Sequence, residues 1–439
     1  MILARTQTEA AGAGFLALGL IYGVLHELRD LKLYVVETIA AGLAAGVVYF
    51  VVLYLLERTP DRAAVMWILL AGALVFRLQL FPLAPKLSDD IHRYRWDARV
   101  AAAGWNPYAV HPDDARLAGL RASHGGPVPG RDIATIYPPL AEMLYLATQR
   151  VLANWPAAAQ VVIFKLPFLA ADLALLGLLA WWIRSTGGRN HQLAIYAWNP
   201  LVIVEIAASG HNDAVAMAAV LAAGIVIIRG RAVVSTLLLT AAALVKLFPV
   251  VLFPLWLRRA GWPGKRSGWA AAGAAGALAA VCVLPYGTAW REMLATAVDF
   301  EARWQGNNAS LWGMVVWFSG SRELASGIGF GVVAGLAAWV AVRRLDLLRA
   351  AYILVGAILL LSPNAFPWYF TWMVPLLCFF PNPAWLLLTV LQFVSYHVLI
   401  EYQASGVWRF QPFYLWLTYV PFFGLLIGTS IVEKKLRSI

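Results

Sequence analysis

Residues 33–56 read LYVVETIAAGLAAGVVYFVVLYLL. One charged side chain, Glu37, interrupts this apolar run. Because an α-helix rises about 1.5 Å per residue, a run of this length crosses a hydrocarbon core of about 30 Å. The stretch predicts a membrane-spanning helix, and with it a protein whose main solvent is lipid.

The rest of the chain repeats this pattern from end to end. Further apolar segments lie near residues 10–26, 64–82, 157–184, 191–208, 212–228, 232–257, 268–287, 324–342, 349–362, 367–380, 383–400 and 411–431. Of the 439 residues, 61% are hydrophobic and 13% are charged, whereas soluble domains carry about 25% charged residues. The composition predicts an all-α polytopic membrane protein. We expect a single integral membrane domain over residues 1–439 with about 13 transmembrane helices.

The formal net charge of +11 reflects basic residues that cluster between the apolar runs. The clusters are Arg184–Arg189, Arg229 with Arg231, Arg258–Arg266, Arg343–Arg349 and Lys434–Arg437. Short cytoplasmic loops of membrane proteins collect Lys and Arg, so these segments are assigned to the cytoplasm. Membrane lipids are therefore the expected surroundings and nucleic acid is not an expected partner. Residues 83–137 become the first large extracytoplasmic loop, with interfacial helices.

Residues 232–257 lie between two basic clusters and must cross the membrane an even number of times. The segment is too long for one ordinary span and too short for two full ones. A hairpin of short helices that turns at Lys246-Leu247-Phe248-Pro249 satisfies this condition, and Pro249 supplies a reason for the break. Broken helices occur at membrane depth where they line a polar cavity. The apolar segment 138–154 must begin and end on the same side of the membrane, so it is expected to be re-entrant or interfacial.

This topology places several polar segments on the extracytoplasmic side. They are residues 83–137, 210–213, 246–249, 288–312, 362–369 and 401–409. Polar residues from distant parts of the chain thus share one face. That organisation is typical of a single active site assembled from loops on a helical scaffold.

The first outer loop contains the most polar stretch, Leu87–Val100, which reads LSDDIHRYRWDARV. In a helix, Asp90, Tyr94 and Asp97 would lie on one face by their three- and four-residue spacing. One interpretation is an interfacial helix whose Asp and Arg side chains pair with one another and with lipid headgroups. Two adjacent carboxylates followed by the polar turn Gly104–Tyr108 exceed what anchoring requires and favour a functional loop.

Six short motifs in this order resemble a known family. They are SDDIHRYRWDAR at 88–99, GWNPY at 104–108, TIYPP at 135–139, GHND at 210–213, KLFP at 246–249 and SPNAFPWY at 362–369. Together they look like the bacterial polyprenol-phosphate-mannose-dependent mannosyltransferases of the GT-C fold. The resemblance implies a polyprenyl-phosphate sugar donor and a glycan or glycolipid acceptor. It also implies inverting transfer on the outer face of the bacterial cytoplasmic membrane.

The family carries its catalytic Asp in this loop, often as Asp-x-x-x-Tyr after a transmembrane helix. Asp90 with Tyr94 matches the spacing, and Asp89 is the neighbouring candidate. Two positions depart from the family pattern. Asp97-Ala98-Arg99 stands where Asp-Gly-Arg is frequent, and Phe366 replaces a basic residue before Pro-Trp-Tyr, which weakens a phosphate-binding role for that segment.

The expected reaction accounts for these residue types. An acceptor hydroxyl must lose a proton as it attacks the anomeric carbon, and one positioned carboxylate suffices as general base. The leaving phosphate needs a cation in a low-dielectric site, for which Lys246, Arg93 and Arg95 are available. A glycosidase would need two carboxylates across the scissile bond. The sequence contains neither a P-loop nor a dinucleotide-binding glycine motif.

The remaining candidates are side chains that could bind donor or acceptor. Candidates for the donor phosphate or sugar are Arg93, Tyr94, Arg95, Tyr137, His211, Asn212, Asp213, Lys246, Trp368 and Tyr369; candidates for the acceptor are Asn106, Tyr108, Asn307 and Asn308. Simpler roles stay open, namely helix capping, turn formation, an aromatic belt and a snorkelling lysine. No cofactor is expected. A divalent metal at His211 and Asp213 is conceivable, but the spacing matches no recognised ligand pattern.

Two other classes of function compete with a transferase. A secondary transporter of a polar or anionic substrate would place ionisable residues near the bilayer midplane on broken helices. Lys246 fits that arrangement, whereas the carboxylate-rich loop does not. A scaffold without catalysis would tolerate loss of Asp90.

Overall fold

The computed structural model describes residues 6–303 and 306–437, and every regular element within them is helical. The first half contains α1 (Gln7–Leu28), α2 (Val35–Arg58), α3 (Ala63–Leu80), α4 (Asp90–Ala102), α5 (Ala118–Ala122), α6 (Pro139–Leu152), α7 (Ala157–Ile163), α8 (Leu166–Ser185), α9 (Asn190–Ala197), α10 (Pro200–Ile203) and α11 (Asp213–Ile228). The second half contains α12 (Ala232–Val245), α13 (Phe253–Ala260), α14 (Arg266–Val283), α15 (Trp290–Arg303), α16 (Leu311–Ser319), α17 (Arg322–Arg343), α18 (Leu347–Leu361), α19 (Val374–Leu377), α20 (Pro383–Leu391), α21 (Val398–Ser405) and α22 (Pro412–Arg437).

Eight helical stretches among the described residues are long and apolar enough to cross a membrane. They are Gln7–Leu28, Val35–Arg58, Ala63–Leu80, Ala157–Ser185, Arg266–Gly287, Arg322–Arg343, Pro383–Ser405 and Pro412–Thr429. A pair bent by 119°, Pro200–Ala208 with Asp213–Ile228, raises the number to nine if it counts as one span. The polytopic all-α fold is confirmed. Length and composition do not confirm the count of about 13 spans, since Ala232–Val245 and Leu347–Leu361 are apolar but shorter.

The chain breaks its helix at Lys246, as the sequence predicts for residues 232–257. Lys246 has extended backbone angles, φ −146° and ψ 137°. A 3₁₀ turn over Phe248–Leu252, which contains Pro249, then leads into α13. Since proline cannot donate a backbone hydrogen bond within a helix, this turn separates the two short helices.

Segment 138–154 forms α6, which is not among the candidate spans. α6 packs against α4, which lies in the loop after α3. Tyr145 on α6 stacks on Tyr94 of α4, with ring centroids 4.4 Å apart and planes 14° from parallel. α6 therefore supports the helix that begins at Asp90.

A buried ion pair connects three helices of the core. The Arg77 Nε of α3 donates to Asp172 of α8, and both side chains are fully buried. Arg77 Nη1 also donates to the Ala197 carbonyl at 2.9 Å, and the Tyr196 hydroxyl donates to Asp172 at 2.6 Å. α3, α8 and α9 are thereby joined around one satisfied charge pair.

We expect Arg77→Met to destabilise the fold by about 3–5 kcal/mol, because it leaves the buried Asp172 carboxylate without its cation. Arg131→Met is the matched control, since Arg131 and Asp113 form a pair whose side chains are 58% and 45% exposed. Exposed pairs contribute about 0–1 kcal/mol. Thermal unfolding of the purified variants in one detergent measures the difference. Equal losses of Tm would contradict the special role of the buried pair.

Candidate active site

Lys165 holds together the two chain segments that build the site. Its buried Nζ donates to the carbonyl oxygens of Phe81 at 2.6 Å and Leu83 at 2.8 Å, where the loop after α3 begins. The same ammonium donates to the carbonyls of Ala207 at 2.9 Å and Ala208 at 3.1 Å. The start of the loop is thus held next to the bend that precedes α11.

That bend presents His211 to the loop. A π-helical turn over Val204–Ala208 ends α10, and Gly210 follows with φ 78°. A Cβ at Gly210 would lie 2.5 Å from Lys165 Cγ. Only glycine therefore combines this backbone angle with such close packing against Lys165.

Asp90 is the first residue of α4 and faces His211. The distance from Asp90 Oδ2 to His211 Nδ1 is 3.3 Å, with His211 fully buried and the Asp90 side chain 27% exposed. The Tyr94 hydroxyl donates to the same carboxylate oxygen at 3.4 Å. Asp89, one position earlier, is exposed. The geometry favours Asp90 over Asp89 as the carboxylate of the site.

Two opposing effects determine the charge state of Asp90. Burial raises the pKa of its carboxyl group, but contact with His211, the charge of Lys246 and the Tyr94 hydroxyl together lower that pKa. The lowering effects prevail, and the pKa falls below its ordinary value of 3.8. Asp90 is therefore ionised at neutral pH, which is the state that a general base requires.

Lys246 pairs with an anion of the site instead of reaching for solvent. Its Nζ lies 3.1 Å from Asp213 Oδ2 and 3.3 Å from Asn212 Oδ1, and its side chain is 13% exposed. The ammonium also lies 5.3 Å from the centre of the Tyr369 ring. On the other oxygen of Asp213, Trp372 Nε1 donates at 2.5 Å. These contacts replace the snorkelling role that the sequence left open.

Aromatic rings enclose this group. Trp368 stacks on His211 with centroids 4.1 Å apart and planes 16° from parallel. Phe366 also stacks on Trp368, with centroids 4.7 Å apart. Eight predicted residues thus come together, and we name them the Asp90 cluster: Asp90, Tyr94, His211, Asn212, Asp213, Lys246, Trp368 and Tyr369.

A family model described as "Alpha-(1->6)-mannopyranosyltransferase, N-terminal domain" matches residues 10–259, more than half of the chain. The chain belongs to this mannosyltransferase family. The matched part of the glycosyltransferase contains Asp90, His211 and Lys246, whereas Trp368 follows it. Comparisons with characterised proteins and with solved structures gave no significant match.

Two predicted cations of the glycosyltransferase lie outside the Asp90 cluster. Arg93 Nε donates to both carboxylate oxygens of Asp97 at 2.9 Å, and its Nη atoms donate to loop carbonyls, including that of Gly130 at 2.9 Å. Asp97 lies seven residues after Asp90 in α4 and shares its helical face, as the spacing predicts, but its carboxylate pairs with Arg93. Arg95 is buried and donates to Gln160 at 3.2 Å. Of the three predicted cations, only Lys246 belongs to the Asp90 cluster.

Three predicted residues of the first loop lie outside the cluster. Tyr137 packs edge-on against Tyr94, with centroids 4.8 Å apart. The Tyr108 hydroxyl donates to the Tyr137 carbonyl at 2.5 Å. Asn106 donates to the carbonyl of Tyr286 at 2.8 Å. Tyr108 and Asn106 thus make hydrogen bonds that shape the loop.

The two asparagines predicted for the acceptor connect chain segments. Asn308 has φ 50°, is almost fully buried, and donates to the Ala365 carbonyl at 2.8 Å and to Gln392 at 2.7 Å. Asn307 accepts a hydrogen bond from Trp408 at 2.6 Å. Both side chains therefore have partners within the loops that surround the site.

Glu205 and Tyr396 are functional candidates that sequence reasoning missed. Glu205 lies in the π-helical turn, fully buried, with its Oε2 3.4 Å from His211 Nε2. The Tyr396 hydroxyl donates to the other carboxylate oxygen of Glu205. A lone carboxylate inside the apolar segment 191–208 was the available signal, because ionisable residues at membrane depth usually have a function.

The acidic side chains of the site face basic partners. Asp90 and Glu205 lie on either side of His211, and Asp213 pairs with Lys246. The described part of the chain has no group of three or more His, Cys, Asp and Glu side chains arranged to hold a metal ion. The site therefore combines three acids, one imidazole and one ammonium.

Proposed function

We propose that the protein transfers a mannosyl group from a polyprenyl-phosphate donor to an extracytoplasmic glycan or glycolipid, with inversion and with Asp90 as general base. Membership of the mannosyltransferase family supports the type of reaction and the sugar. The observation that carries the rest is the convergence of Asp90, His211 and the Lys246–Asp213 pair in one buried cluster. An acid and a cation thus lie on the same side of the fold.

The reaction is a single displacement. Asp90 takes the proton of the acceptor hydroxyl while that oxygen attacks the anomeric carbon. The bond from the anomeric carbon to the phosphate oxygen breaks, and the phosphate leaves with the electron pair. A single displacement inverts the anomeric centre, so the α-(1→6) linkage in the family description implies a β-linked donor.

Lys246 is the cation that would stabilise the departing phosphate. Two of its three ammonium hydrogens face Asn212 and Asp213, so a further hydrogen can bind a phosphate oxygen. Charge stabilisation of this kind is strong in a site that excludes water. The edges of Trp368 and Tyr369 would border the sugar ring.

The orientation of α3 supports an extracytoplasmic site. Arg189, in a basic cluster, pairs with Asp61 just before α3 begins. Asp90 follows the other end of this helix, about 27 Å away along its axis. Basic loops are typical of the cytoplasmic side, which supports a position of Asp90 on the outer side of the bacterial cytoplasmic membrane. The lipid tail of the donor would enter laterally from the bilayer.

The direct test supplies purified protein with synthetic polyprenyl-phosphate mannose, in separate α and β forms, and with a short mannoside acceptor. We expect an α-mannoside product from the β donor alone. Transfer from a nucleotide sugar, with none from either lipid donor, would overturn the proposed donor. Substrate uptake into proteoliposomes without sugar transfer would instead identify a transporter.

We expect His211→Gln to move the acid limb of the kcat/KM profile to higher pH. The base must be ionised, so activity falls as the pH drops through the pKa of Asp90, and His211 helps to lower that pKa. Without the imidazole, the loss begins at higher pH. Profiles from about pH 3 to pH 8 measure the shift.

His92→Gln is the matched control for this experiment. His92 lies on the same helix, and the carboxylate whose charge raises its pKa is that of Asp89. Its substitution should leave the acid limb in place. An unchanged limb in His211→Gln would contradict the electrostatic role of His211.

A further inference from the structure

The His211 ring lies between two carboxyl groups. Asp90 is 3.3 Å from Nδ1 and Glu205 is 3.4 Å from Nε2. Trp368 stacks on the ring face and restricts its rotation. Both distances are long for hydrogen bonds, and neither contact has full hydrogen-bond geometry. Contacts of this kind frequently shorten when substrate binds an active site.

The chemistry of imidazole constrains where protons can lie along this line. A neutral ring donates from one nitrogen and accepts at the other. When Asp90 holds a proton and offers it to Nδ1, the hydrogen on Nε2 points to the Glu205 carboxylate. Moving both protons along the line leaves Asp90 ionised and Glu205 protonated.

Building on the proposed role of Asp90, we infer that His211 and Glu205 form a proton relay that carries the acceptor's proton away from the base. The acceptor hydroxyl gives its proton to Asp90 as its oxygen bonds to the anomeric carbon and the phosphate leaves. Asp90 passes a proton to Nδ1, and Nε2 releases one to Glu205. One proton moves from the acceptor to Glu205, and Asp90 returns to the ionised state. After the product leaves, the proton returns through the imidazole to Asp90, whose side chain is 27% exposed, and passes to water, which resets the relay.

The surroundings of Glu205 suit a proton acceptor. A buried carboxyl group is less costly when neutral than when ionised. Tyr396 donates to its other oxygen, which keeps Oε2 directed at His211. The π-helical turn that carries Glu205 is a form of backbone that frequently marks functional sites. The relay thus ends on a side chain that is fully buried and held in place.

Other ionisable groups of the site do not extend this line. Lys246 is engaged by Asp213 and Asn212, and Tyr94 donates to Asp90. Asp213 accepts hydrogen bonds from Lys246 and Trp372. Within the described residues, the His211 imidazole is therefore the only group that links Asp90 to Glu205.

The test is Glu205→Gln, which keeps the shape of the side chain but removes its capacity to accept a proton. We expect kcat to fall about 10- to 100-fold, less than the about 10²- to 10⁴-fold contribution of a direct general base, with the donor KM unchanged. Glu205→Asp should restore part of kcat. Glu142→Gln is the matched control, since Glu142 is a fully buried carboxyl group that is hydrogen-bonded to Thr135 at 2.7 Å and lies outside the relay.

Solvent isotope measurements distinguish a relay from a merely structural role. In mixtures of H₂O and D₂O, the wild-type kcat should vary along a curve, because several protons move together. The Glu205→Gln variant should give a straight line, because only the transfer to Asp90 remains. Tyr396→Phe should lower kcat by a smaller factor and keep the curve.

The outcomes separate this inference from the proposed function. If Glu205→Gln keeps wild-type kcat and isotope behaviour while Asp90→Asn is inactive, the relay is wrong and the role of Asp90 stands. If Asp90→Asn is fully active, the proposed base itself fails. If Glu205→Gln does not fold, the same measurements are made on Glu205→Asp and Tyr396→Phe. Wild-type isotope behaviour together with an unchanged kcat in both variants would overturn the relay.

Discussion

Asp90→Asn is expected to lower the kcat of mannosyl transfer about 10²- to 10⁴-fold, the usual contribution of a general base. Asparagine keeps the size of the side chain and can still contact His211 and Tyr94. It cannot take the acceptor's proton. The donor KM should change little, because the substitution removes an interaction with a proton that moves in the transition state. Steady-state kinetics with the lipid donor measure both constants.

Asp89→Asn is the control for this substitution. Asp89 has the same chemistry one position earlier, but it is exposed and does not face His211. We expect its kcat to equal that of the wild type. Full turnover in both variants would refute the base assignment, and loss in Asp89→Asn alone would transfer the role to Asp89.

Lys246→Met is expected to lower kcat about 10²- to 10³-fold, the range observed when a charge-stabilising group is removed from an active site. The phosphate would leave without its nearby cation. The same change leaves Asp213 as a buried charge without its ion-pair partner, which costs about 3–5 kcal/mol of stability. Activity and stability must therefore be measured together.

The double variant Lys246→Met with Asp213→Asn separates the two effects. Neutralising Asp213 removes the unpaired charge, so the Tm should recover while kcat stays low. Lys86→Met is the matched control, since the Lys86 side chain is half-exposed and its Nζ lies 3.9 Å from Asp30 Oδ2. Wild-type turnover in the double variant would contradict a role of Lys246 at the phosphate.

Much of the fold could be predicted from the sequence because hydropathy acts over neighbouring residues. The apolar run at 33–56 became α2, and the break at Lys246–Pro249 appears where proline requires it. The number of spans was harder to predict. The run at 191–208 divides into α9, α10 and a π-helical turn, and hydropathy alone does not show such a division.

The cations of the site show where sequence reasoning reached its limit. Arg93 and Arg95 lie close to Asp90 in the chain, and Lys246 lies far from it. The structure nevertheless places Lys246 in the Asp90 cluster and engages Arg93 with Asp97 and loop carbonyls. Proximity in the chain did not predict which cation lies near Asp90. The contacts of each side chain on α4 depend on the segment that packs against its own face of the helix.

The sequence by itself determined a polytopic helical membrane protein with an acidic first loop, the candidates Asp90, His211 and Lys246, and a break in the helix at Lys246. These features follow from local hydropathy, helix-breaking residues and ordered motifs. Only the tertiary structure decided that Asp90 meets His211, that Lys246 pairs with Asp213, and that Glu205 lies between His211 and Tyr396. Buried charges must find partners across the fold, and those partners come from helices that are remote in the chain.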